Sequence, residues 1–259
     1  MSYRTLNRWA VGIFCFSSLA LTSFSQQPSD VAKSAGSPTI DLSKILAWRC
    51  IGPANMGGRV TALAVYENDP SCYYVATASG GLLKTTNNGS TFEHLFDKEK
   101  TVSIGAVAVA PTNKNLVWIG TGEANPRNSV SFGDGVYLST DGGKSWKTKG
   151  LTRSFQISRI VIHPTDPNIV YVGALGRLYG PNEERGLFKT TDGGKSWQKI
   201  HYVDDRTGVM DIVMSPTDPD TLVIATWERQ RDEFDSFRGD AKGPAGADVY
   251  APAKVHGQG

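Results

Sequence analysis

The sequence is poor in cysteine, with three in 259 residues. Cys15 lies in an apolar N-terminal stretch, which leaves Cys50 and Cys72 for the body of the chain. Two cysteines do not make a disulfide framework, so a fold stapled by several disulfides is excluded. A bridge between Cys50 and Cys72 and a pair of buried or free thiols are both open interpretations, because only the three-dimensional geometry decides between them.

An excess of charge of either sign is also missing. The chain has 27 lysines and arginines and 25 aspartates and glutamates. Residues 1–25 contain two arginines and no acid. The rest of the chain therefore has 25 basic and 25 acidic side chains and is formally neutral. No basic patch with interleaved aromatic residues stands out, which argues against a nucleic-acid partner.

Long hydrophobic runs are missing except at the N-terminus. There, Arg4 and Arg8 precede an apolar stretch from Trp9 to Leu21. This pattern predicts a secretory signal peptide over residues 1–25 and therefore a secreted or periplasmic protein with no membrane span after cleavage. An uncleaved anchor is the alternative. Residues 26–47, rich in Ser, Pro and Lys, indicate a linker.

A repeated octapeptide is the most informative feature that is present. STDGGKSW runs from Ser139 to Trp146, TTDGGKSW runs from Thr190 to Trp197, and a weaker copy, TTNNGSTF, runs from Thr85 to Phe92. The corresponding third positions of these copies are 54 and then 51 residues apart. A period of this length indicates stacked repeats or propeller blades.

A second marker repeats with the same step. The strings APTN, HPTD and SPTD begin at Ala110, His163 and Ser215, and each lies between two apolar alternating runs. These are hairpins turned by Pro and Asp. Each unit adds a third run that ends in the octapeptide and a short fourth run. The sequence therefore predicts an all-β fold, a β-propeller of four-stranded antiparallel blades. The expected blades cover residues 48–98, 99–150 and 151–203, with the start of a fourth at 204–228.

The octapeptide resembles the Asp-box, or BNR repeat, of sialidases, sortilin-type receptors and xyloglucanase-type glycosidases. The strings WRCIGPANMGGRV, GTGEANPRNSVSFGDGVYLSTDGGKSW and GPNEERGLFKTTDGGKSW are similar to large secreted bacterial propeller proteins that are often labelled sortilin-like or glycosyl hydrolase. The resemblance covers Trp48 to about Arg231. It implies the fold strongly and the activity weakly, because one fold hosts many functions.

Each octapeptide has a structural explanation. Asp141 and Asp192 are placed to accept hydrogen bonds from main-chain N–H groups, and the glycines after them tolerate positive φ. Trp146 and Trp197 are expected to bury their rings between neighbouring strands. A single turn aspartate lacks the several oxygen ligands that calcium needs, so we expect no metal and no other cofactor. Asn87 and Phe92 in the weaker copy predict a looser turn.

The C-terminal stretch has a different character. Residues 229–259 are polar, rich in Gly, Ala and Pro, and without a period, which indicates a long loop or disordered tail. The expected architecture is an incomplete propeller, three blades and the start of a fourth, taken from a longer protein. Open blade faces and strand edges predict self-association.

Loop lengths indicate where a ligand would bind. The loops after the second strand of each unit lengthen from Ala78–Gly80 to Gly122–Asp134, Gly176–Arg185 and everything after Trp227. Long loops on a rigid scaffold carry function. The candidate ligand-binding residues in them are Arg127, Phe132, Arg177, Tyr179, Arg185, Trp227 and Arg229. Salt bridges among solvated loop residues are the alternative for any one of them. Arg59, Arg159 and Asp211 are expected to line the central channel, with the last two as an ion pair between blades.

Three functions are compatible with this pattern. The preferred one is a secreted propeller that binds a polysaccharide or a peptide. The second is a glycoside hydrolase, with Glu123 and Glu228 as candidate catalytic acids and Glu183 and Glu184 behind them. Resemblance to xyloglucanases would place a catalytic Asp at position 78, where this chain has Ala78, and the sialidase motifs are not recognisable beyond Arg59. The third is a structural role in a larger extracellular assembly.

Overall fold

Antiparallel pairing between strands that are consecutive in sequence builds the whole of the described chain. The computed structural model describes residues 58–125 and 130–229. Within these two ranges the chain forms 14 strands, and no helix there is long and apolar enough to cross a membrane.

The strands form four sheets, each in simple sequential order. The first sheet comprises β1 (Val60–Val65), β2 (Tyr73–Thr77), β3 (Leu82–Thr85) and β4 (Glu93–His94). The second comprises β5 (Ile104–Ala110), β6 (Asn113–Thr121), β7 (Val136–Ser139) and β8 (Lys147–Thr148). The third comprises β9 (Ile157–Ile162), β10 (Val170–Ala174), β11 (Gly186–Thr190) and β12 (Gln198–His201). The fourth comprises β13 (Thr207–Met214) and β14 (Leu222–Glu228). We call them blades 1 to 4, and the all-β blade architecture is confirmed.

Adjacent blades pack face to face through apolar side chains. In the third blade, β10 is buried at all five positions, because another blade covers each of its faces. Three apolar clusters join blade 1 to blade 2, blade 2 to blade 3, and blade 3 to blade 4. Their members include Leu82 with Ile104, Trp118 with Val172, and Leu187 with Ile212.

The two end blades each leave one face uncovered by another described blade. On β1, Val60, Leu63 and Val65 are exposed, with Leu63 reaching 63 %. In blade 4, Val213 and Val223 are cross-strand partners and both are exposed. The row of blades therefore ends in apolar surface on both sides.

Each innermost strand begins with a β-bulge, which leaves one residue out of the ladder. The unpaired residues are Thr61 in β1, Gly105 in β5, Ser158 in β9 and Met210 in β13. Since the bulge occupies the same place in all four blades, it is part of the repeat.

The bulged residue of one blade contacts a main-chain carbonyl of the next. The Thr61 hydroxyl donates to the Ile104 carbonyl at 2.7 Å. The Ser158 hydroxyl donates to the Val209 carbonyl at 2.6 Å. At Gly105 an added Cβ would lie 2.1 Å from the Ile157 oxygen. The acceptor in each case is the residue just before the next bulge. We call this repeated contact the blade junction.

The octapeptide turns are held by their aspartates. The Asp192 carboxylate accepts hydrogen bonds from the Ser196 N–H at 3.0 Å, the Ser196 hydroxyl at 2.6 Å and the Thr190 hydroxyl at 2.7 Å. Asp141 makes the equivalent bonds to Ser145 and Ser139. The glycines after both aspartates have positive φ, between 68° and 97°.

The turn tryptophans, which were expected to bury their rings between neighbouring strands, reach the preceding blade. The Trp146 indole N–H donates to the Leu95 carbonyl at 3.0 Å, and its ring meets Phe96 edge to face at 5.3 Å. The Trp197 indole donates to the Lys149 carbonyl at 2.6 Å. Both rings are half-buried. A second set of contacts therefore joins the blades at their outer edge.

The weaker octapeptide keeps the hydrogen bonds of the other two. Asn87 Oδ1 accepts from the Thr91 N–H at 2.9 Å and from the Thr85 hydroxyl at 2.9 Å. Its amide donates to the Thr91 hydroxyl at 2.8 Å. The looseness expected here is confined to Phe92, which is exposed and meets only the edge of Tyr73 among aromatic rings of the described chain.

Substitution of Gly105 by Ala is expected to destabilise the fold more than loss of either junction hydroxyl. Replacing Thr61 by Val removes one hydrogen bond, which costs about 1 kcal/mol of unfolding free energy. Gly105→Ala forces a methyl group against the Ile157 main chain, and overpacking costs roughly 1–3 kcal/mol. Urea unfolding measures both, with Thr152→Val at an exposed position as the control. Equal stability of Gly105→Ala and the parent would contradict the blade junction.

Acid should weaken the octapeptide turns. Hydrogen bonds from Ser145 and Ser196 hold the pKa of Asp141 and Asp192 below its ordinary value. A lowered folded-state pKa contributes stability above the unfolded pKa of about 3.9, and that stability is lost as the pH falls below it. The double variant Asp141→Asn, Asp192→Asn should therefore show a flatter melting temperature between about pH 4 and pH 2. Thermal melts from pH 7 to pH 2 test this, with exposed Asp220→Asn as the control. Parallel curves for parent and double variant would contradict it.

Candidate ligand-binding face

The connections between strands divide into two sets. One set contains the Pro-Asp turns and the octapeptide turns. The other contains the loops after the second strand of each blade and the segments that enter the next blade. These loops cover residues 78–81, 122–135 and 175–185, and they lengthen from blade 1 to the later blades. We call the surface that this second set forms the loop face.

The long loop of blade 2 is fastened at its base to the start of blade 3. The Gly133 N–H donates to the Phe155 carbonyl at 2.7 Å. A Cβ on Gly122 would lie 2.0 Å from the same Phe155 oxygen. A Cβ on Gly133 would lie 2.2 Å from the main chain of Thr121. The two glycines therefore permit an approach that no other residue allows.

Phe155 itself has an uncommon main-chain conformation. Its φ is +57°, which is a strained value for a bulky side chain. Such strain costs on the order of 1–3 kcal/mol and persists only where the surroundings impose it. Here the hydrogen bond to Gly133 and the contact with Gly122 impose it.

The Phe155 ring contacts two other loop-face side chains. Phe132 meets it edge to face with the ring centroids 5.8 Å apart. The Arg177 guanidinium carbon lies 4.7 Å from the Phe155 ring centroid, in cation–π geometry. Half of the surface of Phe132 is exposed. We call these three residues the Phe155 stack, and it joins the loops of blades 2 and 3.

Arg177 retains hydrogen-bonding capacity. Its Nε is buried and has no hydrogen-bond partner among the described residues. Its own carbonyl accepts a hydrogen bond from the Arg185 guanidinium at 2.6 Å, which fixes the main chain at this point. Phe155 therefore contacts the Arg177 guanidinium and Arg185 fixes the Arg177 main chain, while no acidic side chain within the described ranges pairs with the guanidinium.

Arg185 was expected to contact a ligand, but the structure buries it completely. Its guanidinium donates to main-chain carbonyls of Leu175, Arg177, Asp205 and Arg229. Burial lowers the pKa of Arg185 to about 10, and nearby Asp204 and Asp205 act in the opposite direction. The side chain thus links the loops of blades 3 and 4 through hydrogen bonds, and it is not available at the surface to contact a ligand.

Arg229 was also expected to bind ligand, and it too is buried. It donates to the Gln156 side-chain oxygen at 2.6 Å and to the Asn125 carbonyl at 3.3 Å. Its guanidinium carbon lies 5.8 Å from the Trp227 ring centroid. Arg229 therefore ties the end of blade 4 to segments of blades 2 and 3.

Arg59 and Arg159, both expected to line the central channel, each pair with an acidic side chain of the following blade. Glu123 is buried and accepts hydrogen bonds from Arg59, one of them from Arg59 Nε at 2.8 Å. Arg159 Nε lies 3.4 Å from an Asp211 carboxylate oxygen, so the expected ion pair between blades 3 and 4 is confirmed. Glu123 is thus a carboxylate already occupied by an arginine, which makes it a poor candidate for proton transfer to a ligand.

The remaining candidates lie apart from these pairs. Tyr179, Glu183 and Glu228 are exposed, and Trp227 is half-buried. Glu184 lies 3.7 Å from Arg153 in a surface ion pair. Arg127 lies outside the described residues.

No metal centre is evident in the described ranges, where no group of three or more His, Cys, Asp or Glu side chains could hold an ion. Cys72 is a buried free thiol, and Cys50 lies outside the described residues.

Sequence reasoning missed Phe155, which belongs to a short segment between blades. Its neighbours along the chain carry no repeat marker, and its role depends on contacts from two other loops. A left-handed conformation at a phenylalanine leaves no signal in the sequence.

Comparisons with known proteins agree with this architecture. The family described as "Sortilin, neurotensin receptor 3" (Sortilin-Vps10) matches residues 134–240, which is less than half of the chain. No curated protein sequence matches it. A GH74 enzyme from Niastella koreensis is 24 % identical with a TM-score of 0.52, over 66 % of this chain and 26 % of that enzyme. An ancestral GH74 enzyme is 26 % identical with a TM-score of 0.52, over 67 % of this chain and 22 % of that one. The chain thus spans about a quarter of the length of these enzymes, and it is a β-propeller segment similar to sortilin-type and GH74 propellers.

Proposed function

We propose that this chain is a secreted module that binds a glycan or a peptide on its loop face. The observation that carries the proposal is the Phe155 stack, where an exposed aromatic ring and a guanidinium both contact the same phenylalanine. Aromatic and arginine side chains supply most of the binding energy at such surfaces. The predicted signal peptide over residues 1–25 supports action outside the cytoplasm.

Two buried arginines beneath the loop face hold its loops in place, which favours binding of a ligand. Arg185 and Arg229 fasten the loops through main-chain carbonyls and the Gln156 side chain, so the loop face is held before a ligand arrives. Preorganised loops lose less conformational entropy on binding than mobile ones do. Tyr179 and Trp227 lie on the same face and extend the contact area that a polymer could use.

Catalysis is the less favoured function. Two carboxylates about 5 to 9.5 Å apart are needed to hydrolyse a glycoside. Glu123 is paired with Arg59, and Ala78 is a buried residue where the resemblance to xyloglucanases would place an aspartate. A glycosidase would remain compatible with this chain only if residues outside the described ranges completed the catalytic site.

Substitutions on the loop face should weaken ligand binding, whereas substitutions on the Pro-Asp turns should not. Arg177→Ala, Tyr179→Ala and Trp227→Ala form the test set, and Asn113→Ala and Asp166→Ala form the control set. Glycan-array and peptide pull-down binding should fall about tenfold or more in the test set, because each removes an anchoring side chain.

If the control variants lose binding and the test variants keep it, the ligand binds on the side of the Pro-Asp turns instead of the loop face. Loss of glycan hydrolysis on Glu123→Gln or Glu228→Gln would instead make the protein an enzyme. Thermal melts of every variant separate loss of binding from loss of folding.

We also propose that the chain self-associates through the open faces of blades 1 and 4. Leu63, Val213 and Val223 expose apolar surface there, and such surface promotes association in water. Light scattering of the full chain should show species larger than a monomer, and the double variant Leu63→Glu, Val223→Glu should shift them toward the monomer. A monodisperse monomer of the parent chain would refute this proposal.

A further inference from the structure

The arrangement of charged side chains on the loop face indicates which class of ligand it would bind. This inference rests on the binding function proposed above. Three arginines outside the Phe155 stack have acidic partners, namely Arg59 with Glu123, Arg153 with Glu184 and Arg159 with Asp211. Arg185 uses its donors on main-chain carbonyls. Arg177 makes no ion pair within the described ranges, and its contacts there are the cation–π contact with Phe155 and the hydrogen bond that its carbonyl accepts from Arg185.

The fixing of Arg177 comes from two independent contacts. The Arg177 guanidinium carbon lies 4.7 Å from the Phe155 ring centroid, and Arg185 donates a hydrogen bond to the Arg177 carbonyl at 2.6 Å. Phe155 is in turn fixed by Gly133 in its strained conformation. An arginine held this way presents a planar fork of donors that matches the two oxygens of a carboxylate.

The neighbouring Phe132 adds an apolar surface to this fork. Phe132 is 50 % exposed, and its ring centroid lies 5.8 Å from that of Phe155. An apolar ring and a guanidinium that both contact Phe155 offer the two groups that one sugar type needs. A uronate ring has a flat face of C–H groups and a carboxylate at its edge. Aspartate and glutamate side chains carry the carboxylate without a rigid apolar ring beside it, so an acidic peptide would use only half of the site.

We propose that the Phe155 stack binds an acidic polysaccharide, with the face of one uronate ring on Phe132 and its carboxylate on Arg177. The chain binds the polymer without breaking a bond. Phe155 is a positioning residue, because it acts through the two side chains it holds.

The test compares two forms of one polymer. Polygalacturonate carries the carboxylates, and its methyl ester has the same sugars without the charge. Calorimetry or surface plasmon resonance on the full chain should show polygalacturonate binding that Arg177→Ala weakens about tenfold or more, as truncation of an anchoring arginine does. The methyl ester should bind more weakly and should be insensitive to Arg177→Ala. Higher salt should weaken binding of the acid and leave the ester unchanged.

Variants separate the two halves of the site. Phe132→Ala should weaken both polymers, because the apolar plane serves both, and Phe132→Tyr should restore binding. Arg177→Lys should fall between parent and Arg177→Ala for the acid, since it keeps the charge and loses the fork. Arg153→Ala, an exposed arginine of the same face, is the matched control and should change affinity less than twofold.

Several outcomes would overturn the inference. Equal affinity for acid and ester, or an acid affinity that Arg177→Ala leaves unchanged, would show that the carboxylate is not recognised there. Binding of poly-glutamate alone would assign the face to acidic peptides. If neutral glycans or peptides bind the loop face instead, the proposed binding function stands and the acidic-polysaccharide inference falls. If no glycan or peptide binds there, both fall.

Discussion

The contact that the rest of the fold depends on is the one between a bulged residue and the main-chain carbonyl of the next blade. Thr61 and Ser158 make it with a hydroxyl, and Gly105 makes it by leaving room for the Ile157 oxygen. Because the acceptor is a main-chain group, the next blade can change its side chains without losing the contact. A buried carbonyl without a partner costs about 1–3 kcal/mol, so the spacing between blades is strongly constrained even where their sequences differ.

This constraint extends to the loop face. The junction fixes where each inner strand begins, and Phe155 lies just two residues before the start of β9 at Ile157. Its carbonyl is then placed between Gly122 and Gly133, and its ring contacts Phe132 and Arg177. The strained conformation of Phe155 is therefore imposed by blade packing together with the contacts of Gly122 and Gly133. The loop face is thus held by blade packing together with the loop contacts of Gly133 and Arg185.

The parts of the structure that repeat could be predicted from the sequence, and the parts that do not repeat could not. The octapeptide period and the Pro-Asp hairpins predict the blades, and matching strand positions predict the pairing of Arg159 with Asp211. Alternation along a strand reports which side chains face the core, but a loop has no such period. Arg185 and Arg229 therefore look like surface residues in the sequence and are buried in the structure. Phe155 was missed for the same reason, since its contacts come from three separate segments.

The buried arginines also explain why the loop face would favour an anion. Burial lowers the pKa of Arg185 to about 10, which still leaves its guanidinium charged at neutral pH. Its hydrogen bonds go to neutral carbonyls, so these contacts satisfy its donors without cancelling its charge. Asp204 and Asp205 offset part of that charge. A cation beneath a surface of low dielectric constant raises the potential above it. Arg185 would therefore serve the proposed site in two ways, because the group that donates to the Arg177 main chain also adds positive potential at the place where the Arg177 guanidinium would meet a carboxylate.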